Sequence, residues 1–406
     1  MHNILTYKRM YYIIKFTNGG DMMKINKTYR FRLYPNDSQI IMINKTIGCT
    51  RLVYNHYLSK KQEMYKNEHK SMSAYECIKD LKNLYVEYPF LKEADSMSLR
   101  CSIFDLENSF EKMFKEHTGY PKYKSKYDKN TYRTNFVTSS YKGKVYENIK
   151  VDLINKTITL PKLKDIKISG YRNLDNIDGR IINATVIKEK TGKYYVSVLY
   201  EQEIEEKEFI PNNIVGIDVG VKDLVITSDG KKYLNNKAII KYEKRIKRKQ
   251  KELARRIKGS NNYNKTKKQI AILYSKLTNA RIYAIHEITK EITDNNDIIV
   301  TETLKVSNML KNHKLAKRIQ DASLSLIIRQ LTYKAKWKFK KLYQISTFYP
   351  SSQICSHCGY KNEITKNLGV REYVCPNCHI KLDRDINSSE NIMFEGLKLY
   401  MKELIA

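Results

Sequence analysis

The 406-residue chain has no run of 18 or more apolar residues, which excludes a membrane-spanning helix. It is also short of acid, with 43 Asp and Glu against 75 Lys and Arg, a formal net charge of +32. Such a surplus repels itself unless a polyanion offsets it. Nucleic acid is therefore the expected partner, and no membrane contact is expected. The opening MHNILTYKRMYYIIKF lacks the long apolar region and small-residue cleavage site of a signal peptide. Residues 1–22 read instead as an extension ahead of a natural start near Met22 or Met23. Outside one segment cysteine is sparse: Cys49, Cys77 and Cys101 are scattered, as reduced thiols of a cytoplasmic protein are. The length allows two or three domains, and the 32 tyrosines can fill cores or stack on bases.

What is present centres on Cys355–Ile392. Two Cys-x-x-Cys knuckles, Cys355/Cys358 and Cys375/Cys378, are separated by 16 residues, the spacing of a zinc ribbon. Four thiolates close a tetrahedron and leave no open position, so one structural Zn²⁺ is expected rather than a redox or disulfide use. His379 follows the last cysteine and is surplus to that ligand set.

Along the chain, Lys24–Tyr34 alternates as a half-buried strand, and Pro35-Asn36-Asp37-Ser38 stops it and caps a helix. Further helices are expected at Arg51–Lys66, Ser73–Tyr85 and Ser96–His117, then a basic aromatic loop, Gly119–Lys126, suited to tracking a phosphate backbone. Short strands return from Tyr132, including a hairpin of Ile181–Lys188 with Tyr194–Tyr200. This pattern suggests a small β-barrel interrupted by a helical insertion. After Pro211 come an apolar strand, Ile214–Gly220, and a hairpin of Lys222–Ser228 with Lys231–Leu234. A helical pair follows, Lys241–Lys258 and Lys265–Thr293, then a strand at Asp297–Glu302. An amphipathic helix, Ser323–Leu342, with Phe339 on its apolar stripe, leads to a strand at Lys341–Phe348. The first helix of the pair has ten basic residues against Glu243 and Glu252, and Arg245, Arg248 and Lys249 are its candidate phosphate contacts.

Three acids stand out: Asp218 inside an apolar strand, Glu302 at a strand end, and Asp385 at the start of the last helix. A mid-strand acid is costly unless it is paired or holds a metal. Strand, hairpin, helix, strand and helix with acids at these places is how an RNase H-like sheet gathers carboxylates around two Mg²⁺ or Mn²⁺ ions, which suit hard oxygen ligands without histidine.

These residues resemble the TnpB family, the insertion-sequence RNA-guided DNA nucleases similar to type V CRISPR effectors. The resemblance rests on GIDVG around Asp218, TETLKVSNM around Glu302, and the ribbon followed by DRDINSSENI. KINKTYRFRLYPN, TRLVYNHYL, GYPKYKSK, YPSSQICSHCG and REYVCPNC match in the same order. It implies an α/β plus α+β chain. A wedge-type β-barrel (23–36 and 132–210) would carry a helical recognition insertion (37–131). An RNase H-like RuvC nuclease domain (211–350 and 380–406) would carry the zinc ribbon (351–379). Asp218, Glu302 and Asp385 would be the catalytic, Mg²⁺-holding acids, with Asp383 a neighbour, and Arg384 and Asn387 positioning the phosphate or the acids. By the same resemblance Ser73, Cys77, Met97, Arg100 and Thr138 would read the motif beside the target. The partners implied are a transposon-end guide RNA and a double-stranded DNA target, in a bacterial or archaeal cytoplasm. A non-cutting RNA-guided regulator would dispense with the acids, which are all present. An RNase H-like transposase would join strands without a guide.

Overall fold

The computed structural model describes residues 22–141, 143–170, 177–205, 209–221, 223–234, 238–304, 309, 311, 316, 319–320, 322–366 and 371–405. Residues 1–21 of the expected N-terminal extension, Lys222 at the start of its expected strand, 305–308 of the motif after Glu302, and 367–370 of the ribbon lie outside them. The chain divides between residues 205 and 206 into two units, each with its own cores.

The first unit opens with β1 (Met22–Tyr34), whose alternation buries Ile25, Phe31 and Leu33. Three helices follow: α1 (Asp37–Glu68), α2 (Ala74–Glu87) and α3 (Ser96–Glu116). Asn36 caps α1 reciprocally: its side chain accepts from the Gln39 amide at 2.9 Å, and its own amide donates to the Gln39 side chain at 3.0 Å. The two helices expected before Lys66 are a single one. Its buried face runs unbroken through Ile43, Ile47, Thr50, Val53, Tyr54, Tyr57 and Leu58, and no proline interrupts it. The strands that follow are β2 (Asn130–Asn135), β3 (Thr138–Tyr141), β4 (Lys144–Glu147), β5 (Lys150–Asp152), β6 (Thr157–Leu160), β7 (Lys164–Ser169), β8 (Arg180–Lys188) and β9 (Tyr194–Glu205). Seven form one sheet in the order β2-β8-β9-β1-β7-β6-β5, and β3 and β4 make a separate hairpin. Tyr132 of β2 and Ile158 of β6 belong to one apolar core beneath that sheet, while α1–α3 enclose a second.

In the second unit, β10 (Ile214–Asp218), β11 (Asp223–Thr227) and β12 (Lys232–Leu234) form an antiparallel meander. The long helices α4 (Ala238–Ala254) and α5 (Asn261–Asn295) lead to β13 (Ile298–Glu302), and α6 (Leu324–Trp337) to β14 (Lys341–Ile345). β13 lies parallel to β10 on one side and to β14 on the other, giving the order β12-β11-β10-β13-β14. α6 stops short of the expected Leu342. Phe339 turns left-handed (φ 56°), which ends the helix and frees Lys341 to pair beside Ile298.

β13 is buried on both faces: Ile299 packs with Ile292, Ile327 and Leu331 in one core, Ile298 and Val300 with Ile392 in another. The second core is closed by α7 (Arg384–Ile405), which follows β15 (Glu372–Val374) and β16 (Lys381–Asp383) of the cysteine segment. That segment therefore passes into α7 without a linker. Two glycines let α7 approach so closely. A Cβ on Gly216 of β10 would stand 2.0 Å from the Ser389 carbonyl oxygen, and one on Gly396 would stand 2.3 Å from both Val300 methyl carbons.

Candidate active site

Asp218 and Glu302 end neighbouring parallel strands, one step beyond the Ile217–Thr301 pair, at the carboxyl edge of the sheet where such sheets place ligands. The close seating of α7 brings its first turn, with Asp385, to the same edge. The electrostatics register the convergence. Burial, then the charges of Glu302 and Asp385, push the Asp218 carboxyl from 3.8 up to about 7. A hydrogen bond from Ser388 and the charge of Arg384 oppose the rise. Carboxylates supply the hard oxygen ligands that a hard cation would need. Glu302 accepts from the Ser351 hydroxyl at 2.5 Å, and Asp385 faces Arg371 at 3.4 Å.

Asp383 does other work. Its carboxylate accepts from the amides of Asp385 (3.0 Å) and Ile386 (3.2 Å), capping α7, and pairs with Lys232 at 2.6 Å. Burial alone would raise its pKa, but the Lys232 ammonium and these amides hold it below the usual carboxylate range.

The cysteine cluster is of another kind. Among the described residues, Cys355, Cys358, Cys375 and Cys378 form the one group of His, Cys, Asp or Glu whose ligand atoms all lie within 4.8 Å of one another. Sulfurs of Cys355 and Cys378 are 3.7 Å apart, and those of Cys358 and Cys375 are 3.5 Å apart. Zn–S bonds of 2.3 Å in a tetrahedron require about 3.8 Å, so the residues fit Zn²⁺. The two knuckles repeat one geometry. Cys355 and Cys375 donate their amides to Tyr360 and Ile380, and Gly359 and His379 donate back to the Cys355 and Cys375 carbonyls. Each of those last residues is left-handed, Gly359 at φ 76° and His379 at 58°. The Tyr360 amide and the Asn377 side chain, 3.6 Å from the sulfur, lower the Cys358 thiol to about 6, favouring the thiolate a metal needs.

The remaining expected residues fall differently. Arg245 and Arg248 are exposed on α4, and Lys249 pairs with Glu252 at 2.7 Å. With Lys251, Arg255 and Arg256 the last three line an open groove of about 560 Å³. Met97 is half-buried, and Arg100 and Thr138 are exposed. Ser73 is exposed too, but its hydroxyl is engaged in capping α2 with Glu76. Cys77 is corrected outright: it is 0% exposed in the core of α1–α3 and presents nothing to a nucleic acid. Arg384 is likewise buried, and its charge acts on Asp218 rather than on an outside phosphate. Asn387, fully buried, accepts from the Ser356 amide at 2.9 Å and donates to the Ile354 carbonyl at 2.7 Å, stitching the first knuckle to α7. Ser351, Ser388 and Arg371 had no signal of their own in the sequence. They are ordinary residues given neighbours by the fold.

Comparison with known proteins agrees with this architecture. The insertion-sequence OrfB family model described as "Probable transposase" matches residues 197–313. A "Cas12f1-like, TNB domain" matches 325–392, and the "Helix-turn-helix domain" of the OrfB family matches 22–70. A Streptomyces pristinaespiralis protein bearing the name of an RNA-guided DNA endonuclease is 30% identical over 93% of this chain and 90% of its own. The similarly named InsQ of Escherichia coli K12 is 28% identical over 92% and 93%. The fold is shared with the Cas12f1 chain of a Cas12f1-sgRNA-target DNA complex (TM-score 0.57, 13% identity, 92% of this chain and 99% of that one). The chain belongs to the TnpB family of insertion-sequence proteins.

Proposed function

We propose that this chain is an RNA-guided DNA endonuclease that cuts guide-matched double-stranded DNA, beside a short adjacent motif, by metal-dependent phosphodiester hydrolysis. The observation that carries the reading is the placement of Asp218 and Glu302 at the ends of neighbouring parallel strands, with the Asp385 charge near enough to act on Asp218. The names of the two relatives support the same activity. The strand order, a three-strand meander followed by two parallel strands, supports an RNase H-like, RuvC-type domain.

Asp218, Glu302 and Asp385 would hold two Mg²⁺ or Mn²⁺ ions, which when bound activate water and stabilise charge on the leaving oxygen. The chain's own part is to orient these carboxylates. A hydrogen bond from Ser388 and the Arg384 charge partly offset the rise at Asp218, and Asp383 holds the first turn of α7 in place. Arg245, Arg248 and Lys249 would contact guide or heteroduplex phosphates, and Arg100 and Thr138 remain candidates for the adjacent motif. The guide would be a transposon-end RNA and the setting a bacterial or archaeal cytoplasm.

The test uses the RNA that co-purifies with the protein and a duplex matching it, with randomised flanks. Wild type should cut in Mg²⁺ and not in EDTA. Asp385→Ala should lose at least about a thousandfold in cutting while binding RNA and target normally, because loss of one ligand removes charge stabilisation of several kcal/mol. Cutting in EDTA, or by Asp385→Ala, would refute the mechanism.

A further inference from the structure

Between the two candidate metal sites lies a buried polar seam. Ser351 is 5% exposed and Ser388 2%. Ser351 follows Pro350 just ahead of the first knuckle, and Ser388 lies in the first turns of α7. The Ser388 hydroxyl donates to Ser351 Oγ at 3.0 Å, and the Ser351 hydroxyl donates to Glu302 Oε1 at 2.5 Å. Ser351 has one proton and gives it to the carboxylate, so toward Ser388 it can only accept, and Ser388 lies within hydrogen-bonding reach of Asp218 as well. The Ser351 backbone is itself pinned: Asn391 donates to its carbonyl at 2.8 Å and to the Ile354 carbonyl at 2.7 Å. Asn387, one helical turn earlier, holds Ile354 and Ser356.

We propose that Ser351 and Ser388 are positioning residues that aim Glu302 and make its orientation depend on the root of the cysteine ribbon. The proposal rests on the reading of Glu302 as a metal ligand. Ser351 occupies one oxygen of the Glu302 carboxylate and leaves the other for a cation. It also bridges three elements that nothing local would align: the end of β13, the loop entering the ribbon, and α7. A metal ligand held by a donor of this kind is oriented before the ion arrives, and loss of such a donor typically weakens metal binding 10–100-fold. A hydroxyl pair that merely satisfied the loop would change melting temperature and leave metal affinity alone.

The experiment titrates Mn²⁺ into the full-length, zinc-loaded protein by electron paramagnetic resonance, alongside zinc content and melting temperature. Ser351→Ala should weaken the Asp385-dependent Mn²⁺ site tenfold or more with zinc retained. Ser388→Ala should weaken it less, Ser351→Thr should restore it by keeping the hydroxyl, and Ser352→Ala should match wild type. In cleavage assays, the metal concentration for half-maximal rate should rise in Ser351→Ala while the rate at saturating metal recovers. Wild-type Mn²⁺ affinity in both alanine variants would overturn the proposal, as would a loss that appears only together with zinc or melting temperature. If Ser351→Ala does not fold, Ser351→Cys, whose thiol is a poor donor, decides by the same criteria. Should Asp385→Ala bind Mn²⁺ as wild type does, it is the metal-site reading itself that fails. A site that needs Asp385 but ignores Ser351 refutes the positioning role alone.

Discussion

The ribbon and the carboxylate site differ in how finished they are. The four sulfurs already sit at tetrahedral spacing, held by backbone turns inside two short knuckles. The three acids come from elements far apart in sequence, and burial first, then the charges of Glu302 and Asp385, raise the pKa of Asp218. A closed site can be assembled by local geometry and then contributes folding energy. Under the proposed function, the carboxylate site would have to stay open to a substrate phosphate and be held so by the rest of the fold.

The largest break of that contrast is removal of a thiol. Cys375→Ala should lose zinc and solubility together, since structural zinc sites carry roughly 10–16 kcal/mol of apparent binding free energy that is also folding free energy. Zinc content and soluble yield measure it, and a soluble, active, zinc-free protein would erase the distinction.

Next is Gly216→Ala, which attacks the open site alone. Its Cβ would meet the Ser389 carbonyl and the Met393 amide, both backbone, so α7 must move. A cost of up to about 3 kcal/mol in chemical denaturation is expected, with cleavage lost and zinc retained. Undiminished cleavage would show that the close seating of α7 does not set the acids.

Asp218→Asn sharpens the contrast through that raised pKa. The unfolded carboxyl ionises near 3.8 and the folded one near 7. Between those values the folded chain keeps a proton that the unfolded chain has released, so stability falls as pH rises through that window. In EDTA at pH 8 the variant should be more stable than wild type by on the order of 4 kcal/mol, and the difference should vanish below about pH 4. Melting curves across pH decide it. A variant less stable at pH 8 would mean the acid is satisfied without metal.

The smallest effect concerns His379, which stands left-handed where the equivalent knuckle has Gly359. His379→Gly should relieve about 0.5–1 kcal/mol of backbone strain and tighten zinc against a competing chelator. Weaker zinc retention would give the imidazole a role of its own.

How legible each region was follows from the same contrast. Cysteine spacing is a local property, so the ribbon was readable from the chain. The acids were readable as residue types, Asp218 inside an apolar strand that in the structure ends at it, and Glu302 and Asp385 at element ends. Their proximity was not, because it depends on Gly216 and Gly396 admitting α7 against the sheet. Cys77 was assigned outward by the family resemblance, and only the packing of α1–α3 showed it turned in. The break expected within α1 failed for a related reason: a continuous buried face outweighs local composition.

By itself, then, the sequence determined the positive charge, the thiol set, the identity of the three acids and the alternation of elements, because each depends on residue type and short-range spacing. Tertiary structure alone decided that Asp383 caps α7, that Arg384 acts on Asp218 from the interior, and that two unremarkable serines connect Glu302 to the root of the ribbon. Those roles are set by which groups are brought within a few ångströms of one another, and charge interactions and hydrogen bonds act only at such distances.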